Sequence, residues 1–246
     1  TNVPHTDNIS YFGNGRDEAQ MVYQFPLAPL VLHTFRTGET ATLARWLASL
    51  PPAGPGTTFF NFLASHDGIG MRPAEGLLRK EDVEALVQQT LAHGGQVSYK
   101  NNPDGTRSVY ELNITFYDAL NNPATPDLPR DVRRFLASQV IMLSIAGVPG
   151  IYLPSLIGGS NCLECVEETG RTRSINREKF QRDALEMALS DEHARAARVF
   201  REYRRLLEVR RSRQAFDPAS SQRAMEVHPG LFSLVRAAEA GEVIEV

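Results

Sequence analysis

The sequence reads as an α/β fold: the second half of a (β/α)8 barrel, with the beginning of a C-terminal β domain behind it. Three observations carry that reading. Apolar runs of strand length at 21–25, 57–64 and 147–155 alternate with stretches of helical period, the pattern of a parallel sheet. The run at 57–64 ends abruptly in the polar Ser65-His66-Asp67-Gly68, and barrels of this class place their chemistry at the C-terminal ends of their strands. From 224 onward the pattern changes to short alternating runs divided by turn residues. These units are too few to close eight strands, so an N-terminal half is expected outside the chain.

Taken in order, 1–15 is polar and irregular, and MVYQF at 21–25 is a short strand. Leu30, Val31, Thr34, Phe35, Leu43, Trp46, Leu47 and Leu50 follow at helical spacing, and Gly38 divides them into two helices. TTFFNFLA at 57–64 is β-branched and aromatic, the composition of a buried strand. A long excursion at 68–127 holds an amphipathic helix at 81–92, a GG turn, an NNPDG turn and an alternating segment at 109–114. An excursion of that length between core elements usually carries function. Pro129 opens an apolar helix reaching 145, because a proline is tolerated in a first helical turn. GVPGIYLPS at 147–155 is a further strand ending in a glycine-rich loop, and 191–213 is a long arginine-rich helix. The expected division is a barrel part at 1–218 and a β part at 219–246.

Composition excludes several classes. A net charge of -3 offers no reason to expect nucleic acid or an anionic membrane as a partner. The apolar stretch at 140–153 is broken by Ser144, Gly147, Pro149 and Gly150 and is too short to span a bilayer. Cys162 and Cys165 form a CxxC without a second pair, so a four-ligand zinc site is not expected. Two loop thiols in a reducing cytoplasm is the reading favoured.

A buried strand ending in His66-Asp67 can set a carboxylate at a barrel mouth beside an imidazole. On spacing alone, Asp67 can equally cap the following turn, with His66 a half-buried histidine. The wider text resembles the sucrose phosphorylase group of the α-amylase superfamily of glycoside hydrolases. SHDGIG at 65–70 after an FxNFL strand is similar to its His-Asp motif, and four other segments agree in order. TNVPHTDNISYFG at 1–13 resembles the stretch that follows the acid/base glutamate. YQFPLAPLVLHTFRTG at 23–38 is similar to the sixth strand and its helix. GVPGIYLPSLIGGSN at 147–161 resembles the eighth strand and its loop, and GRTRSINRE at 170–178 the arginine loop beyond it.

The resemblance implies retaining α-glucosyl transfer to inorganic phosphate, with phosphate as co-substrate and no metal or organic cofactor. Such transfer uses a carboxylate nucleophile and a carboxylic acid/base about 5 Å apart across an oxocarbenium-like transition state. It casts Asp67 as a third carboxylate that stabilises this state, His66 as a ligand of the same glucosyl unit, and Arg173 as the arginine beside it. Arg171 and Arg177 are read as surface or structural. A mobile acceptor loop is implied at 105–113, with Tyr110 and Glu111 facing the acceptor and His5 near the acid/base. Sucrose phosphorylases proper carry glutamine where this chain has Glu111. The text here looks more like relatives acting on glucosylglycerate, glucosylglycerol or sucrose 6-phosphate. The resemblance further implies that the nucleophile and the acid/base lie before Thr1, which would leave the chain alone inactive. A hydrolase or transglucosidase on the same scaffold is the alternative; a small carbohydrate substrate and phosphate are the partners expected, with the oligomeric state left open.

Overall fold

The computed structural model describes residues 3–246, with His5 described by its backbone alone. A helical turn α1 (His5–Asn8) and a 3₁₀ turn (Ile9–Phe12) precede strand β1 (Met21–Tyr23). Helices α2 (Leu27–Thr37) and α3 (Ala41–Ser49) lead to strand β2 (Thr58–Asn61). The break expected at Gly38 is present. Gly38 closes α2 at φ 75°, a left-handed position that suits a residue without Cβ, and its N–H donates to Thr34 O at 2.9 Å. α2 buries Leu27, Leu30 and Val31, and α3 buries Leu43, Trp46 and Leu47, the helical spacing read from the sequence.

The excursion is built as strand β3 (Ile69–Gly70), helix α4 (Lys80–Ala92), strands β4 (Gln96–Asn101) and β5 (Arg107–Asn113), and helix α5 (Phe116–Leu120). β5 lies between β3 and β4 in an antiparallel sheet. This corrects one expectation: 105–113 is a loop only at its start, and Tyr110 and Glu111 stand on strand β5. The inner half of β5 is fastened from both sides and buries Leu112 completely, which a mobile loop could not do. Gly68 permits this approach, because a Cβ there would run into the carbonyl oxygen of Leu112 and come within 2.7 Å of the Glu111 side chain.

Helix α6 (Leu128–Ser144) begins at Asp127, whose side chain accepts from Arg130 N–H at 3.1 Å. It delivers the chain to β6 (Val148–Pro149). β2 pairs in parallel with β1 on one side and β6 on the other, so the strand expected to be central is central. The strand expected at 147–155 is much shorter than that. Pro149 cannot donate to a ladder, and the chain turns into helix α7 (Leu153–Leu156).

Helix α8 (Leu163–Thr169), a 3₁₀ turn (Thr172–Asn176), α9 (Arg182–Ser190) and α10 (Arg195–Arg211) complete the helical part. An antiparallel sheet of β7 (Ser221–His228), β8 (Leu231–Ala237) and β9 (Val243–Glu245) comes next, in the order β7-β8-β9. α10 packs on α6, where the hydroxyl of Tyr203 donates to Gln139 Oε1 at 2.9 Å between two buried side chains. The C-terminal sheet reaches α3 through Thr40 N–H, which donates to Pro229 O at 2.8 Å. One hydrophobic core runs through α2, α3, α4, β5, α5, α6 and α10. Among the described residues, no helix is long and apolar enough to cross a membrane.

Candidate active site

Because β1, β2 and β6 are parallel, their C-terminal ends open on the same side. A cleft of about 290 Å³ lies there, lined by residues just past each strand: Phe25 after β1, Ser65, His66 and Asp67 after β2, and Gly150 and Tyr152 after β6. Tyr23, Phe25, Phe60 and Phe62 form its aromatic wall, with ring centroids 5.0–6.1 Å apart for the contacting pairs. Gly150 is required at the rim, since a Cβ would enter the Phe60 ring. A smaller cavity of about 30 Å³ adjoins it and shares Phe25, Phe62, Ser65, Asp67 and Tyr152 with the cleft.

Asp67 is the charged centre of the cleft. Its Oδ1 accepts from Arg173 Nη1 at 2.8 Å and from Arg177 Nη2 at 3.2 Å, and His66 Nε2 lies 3.7 Å away. The Asp67 side chain is 38% exposed and that of His66 72%, so both remain open to a ligand. A turn-capping Asp67 with a half-buried His66 is therefore not the arrangement found. The backbone beneath them is pinned from the arginine loop. Asn176 Nδ2 donates to Asp67 O at 2.7 Å and Ser65 O at 3.3 Å, and Arg177 Nε donates to His66 O at 2.6 Å.

Glu111 stands behind Arg173. Its two carboxylate oxygens take Nε at 2.9 Å and Nη2 at 3.1 Å in a bidentate pair, while its side chain is only 3% exposed. The Glu111 carboxylate, bonded and charged, raises the Arg173 guanidinium above its ordinary range. Tyr110 precedes it on β5, half-buried, and its carbonyl accepts from Met71 N–H at 3.0 Å. Of the residues picked from sequence, His66, Asp67, Glu111 and Arg173 come together. The His5 side chain lies outside the described residues, as do Thr1 and Asn2 of the segment at 1–13.

Sequence alone reads Arg177 as surface or structural, and the structure puts it on Asp67. It comes just after the same 3₁₀ turn that carries Arg173, and both guanidiniums reach the one Asp67 oxygen. Arg171 is exposed. Asn176 and Tyr152 carry no signal in the sequence. Their mutual link, Tyr152 hydroxyl donating to Asn176 O at 2.9 Å, spans two loops and has no sequence signature. The reading of Cys162 and Cys165 as two loop thiols is also corrected: they form a disulfide. Three residues apart at the start of α8, their Cα atoms are 5.2 Å apart, within bridging distance.

No family model matches the chain. It is 52% identical over 227 residues, 92% of its length, to the glucosylglycerate phosphorylase of Allomeiothermus silvanus. It is 46% identical over 218 residues, 89% of its length, to that of Escherichia coli. With the sucrose phosphorylase of Agrobacterium vitis the identity is 32% over 186 residues, 68% of the chain and 34% of that protein. The chain spans about two fifths of the length of the two glucosylglycerate phosphorylases, 40% and 39%. In fold it is similar to the crystal structure of sucrose 6F-phosphate phosphorylase from Thermoanaerobacter thermosaccharolyticum. There the TM-score is 0.76 at 22% identity, covering 97% of this chain and 49% of that one. The α-amylase of H. orenii matches with a TM-score of 0.56 at 14% identity, over 96% of this chain and 39% of its own. The chain therefore belongs with the glucosylglycerate and sucrose phosphorylases, matching between a third and two fifths of their length, and is folded like part of the α-amylase-family (β/α)8 enzymes.

Proposed function

We propose that this chain supplies one side of the glucosyl site of a retaining α-glucoside phosphorylase, which transfers a glucosyl unit to inorganic phosphate to give α-glucose 1-phosphate. The observation that carries the reading is Asp67, held by Arg173 and Arg177 at the end of the central parallel strand. Its support is the 52% identity to a glucosylglycerate phosphorylase. In this reading Asp67 and His66 bind hydroxyls of the glucosyl ring. The interaction strengthens as the ring flattens and positive charge develops, which is where binding lowers the barrier. Arg173 and Arg177 orient the Asp67 carboxylate, and Arg177 is added to the site residues on the strength of its contacts. The aromatic wall excludes water from the reacting side, a requirement when phosphate rather than water must capture the glucosyl group.

We assign the nucleophile and the acid/base to the remainder of the full-length enzyme. Asp67 and Glu111, the two carboxylates of this cluster, are both committed to arginine. The chain by itself is accordingly inactive in this reading, and the enzyme acts in the cytoplasm.

Glucosylglycerate is the proposed donor. Glu111, which the resemblance places facing the acceptor, is buried and bound to Arg173, so in this reading it does not select the acceptor by direct contact. The test is a donor panel of glucosylglycerate, glucosylglycerol, sucrose 6-phosphate and sucrose with the full-length enzyme and phosphate, scored for glucose 1-phosphate. Glucosylglycerate should give the highest kcat/KM. Sucrose in first place would overturn the donor assignment, and free glucose as the main product would move the enzyme to the hydrolases.

A further inference from the structure

We propose that Cys162 and Cys165 form a reversible redox site, closed as a disulfide and opened by a dithiol reductant, whose state sets the rigidity of the segment carrying Arg173, Asn176 and Arg177. The disulfide spans the first turn of α8, where the Cys165 N–H points at Cys162 Sγ, 3.2 Å away. α8 has seven residues and buries none of them, so neither length nor core packing secures it. Polar contacts fasten it to the 3₁₀ turn behind it. Cys162 N–H donates to Ile175 O at 2.8 Å, and the hydroxyls of Thr169 and Ser174 bond at 2.7 Å.

Cys162 is also the junction to the excursion. Its neighbour Asn161 donates its N–H to Asp118 Oδ2 at 2.7 Å and accepts from Thr115 N–H at 2.9 Å. The bridge thus lies between an anchored loop and the turn from which Arg173 reaches Asp67 at 2.8 Å and Glu111 at 2.9 Å. Both cysteines are half-buried, so a small reductant can approach them.

In the exchange, one thiolate of the dithiol attacks a bridge sulfur, breaks the S–S bond and forms a mixed disulfide. Its second thiolate then displaces the cysteine, and the reductant leaves as its own cyclic disulfide. Two electrons pass to the protein pair, and two protons convert Cys162 and Cys165 to thiols. With the bridge open, the first turn of α8 frays and Cys162 loosens from Ile175. The turn bearing Arg173 and Arg177 then holds Asp67 less firmly.

The experiment uses the full-length protein poised with oxidised glutathione or reduced with dithiothreitol. Thiol alkylation read by mass spectrometry should show both cysteines protected in the first state and labelled in the second. Thiols that stay labelled under oxidised glutathione would overturn the site. Backbone hydrogen exchange should accelerate over 162–177 on reduction and stay unchanged in β7 and β8, and equal exchange in both states would also overturn it. The activity arm rests on the proposed phosphorylase function. kcat/KM for phosphorolysis should fall on the order of tenfold on reduction, because small misplacements of positioning groups are costly. The C162S/C165S double variant should match the reduced enzyme and ignore dithiothreitol. Unchanged kcat/KM beside altered exchange would overturn the link to the active site. Failure of either state to release glucose 1-phosphate would count against the phosphorylase function, while alkylation and exchange still decide the redox site.

Discussion

At the scale of single residues, Asp67 and Glu111 illustrate two uses of a carboxylate. Asp67 is 38% exposed, so its ion pairs are softened by water and add little to stability. Asp67→Asn in the full-length enzyme keeps the shape and removes the charge. It should lower kcat by about 10²–10³-fold, the usual cost of losing one electrostatic stabiliser, while thermal unfolding stays near wild type. Steady-state kinetics beside a melt checks both halves. Glu111 is 3% exposed, and its pair with Arg173 ties β5 to the arginine loop. Arg173→Met should destabilise by roughly 3–5 kcal/mol, because it leaves a buried carboxylate without its cation. Adding Glu111→Leu should recover most of that loss in denaturant midpoints, although not the activity. His66 and Asp67 are legible from a strand that ends in two polar residues. Arg177 is not, because the sequence offers Arg171, Arg173 and Arg177 within one loop. Only the direction of each side chain from the 3₁₀ turn tells them apart.

At the scale of elements, the strands that position the site are shorter than their sequence patterns. β2 stops at Asn61, whose buried side chain turns away to donate to Ala146 O at 3.0 Å. β6 is two residues long, because the chain must turn at once to bring Tyr152 to the cleft. Helices are easier to read than these strands, since α4, α6 and α10 follow an apolar stripe that survives an error of a residue or two at the ends. α7, α8 and α9 leave too little stripe to recognise.

Asp118 on α5 shows how one element holds another. Burial raises its carboxyl above the ordinary carboxylate range, while bonds from the Asn161 N–H and Ser160 oppose the shift. A carboxyl raised on folding stabilises most when protonated, so its contribution falls as pH rises from below 3.8 through the raised value. Asp118→Asn removes that penalty. The stability of the variant relative to wild type should therefore improve as pH rises from the acid side towards neutrality, measured by urea unfolding across that range. A difference that stays flat with pH would remove Asp118 from this role.

At the scale of the whole molecule, the C-terminal sheet is tied to the parallel-sheet part by a buried arginine. Arg236, fully buried on β8, donates to Ser144 O at 2.7 Å, Asp217 O at 2.8 Å, Ser220 O at 3.1 Å and Ser221 O at 3.2 Å. Arg210 beside it donates to Leu143 O and, at 2.8 Å, to Gly147 O. Together they satisfy the last carbonyls of α6 and the turn into β6, groups that a helix end leaves without partners. Burial pulls Arg236 down to about 10, still protonated at neutral pH. Arg236→Met should cost on the order of 3 kcal/mol by stranding those carbonyls, and Arg236→Lys should not restore it, since an ammonium cannot reproduce the planar fork. Chemical denaturation of the two variants checks this.

Local pattern was sufficient for features that depend on period and punctuation: alternating strands and helices, the break at Gly38 and the proline-led α6. Side-chain periodicity and glycine or proline conformations are properties of neighbours along the chain, so the sequence expresses them directly. The contacts that join residues distant in sequence were decided by the tertiary structure alone. Arg177 meets Asp67 across 110 residues, Arg173 withdraws Glu111 from the surface across 62, and Arg236 closes the end of α6 across 92. Those pairings depend on how the elements pack, and a charged side chain pays its desolvation only where packing has already placed its partner.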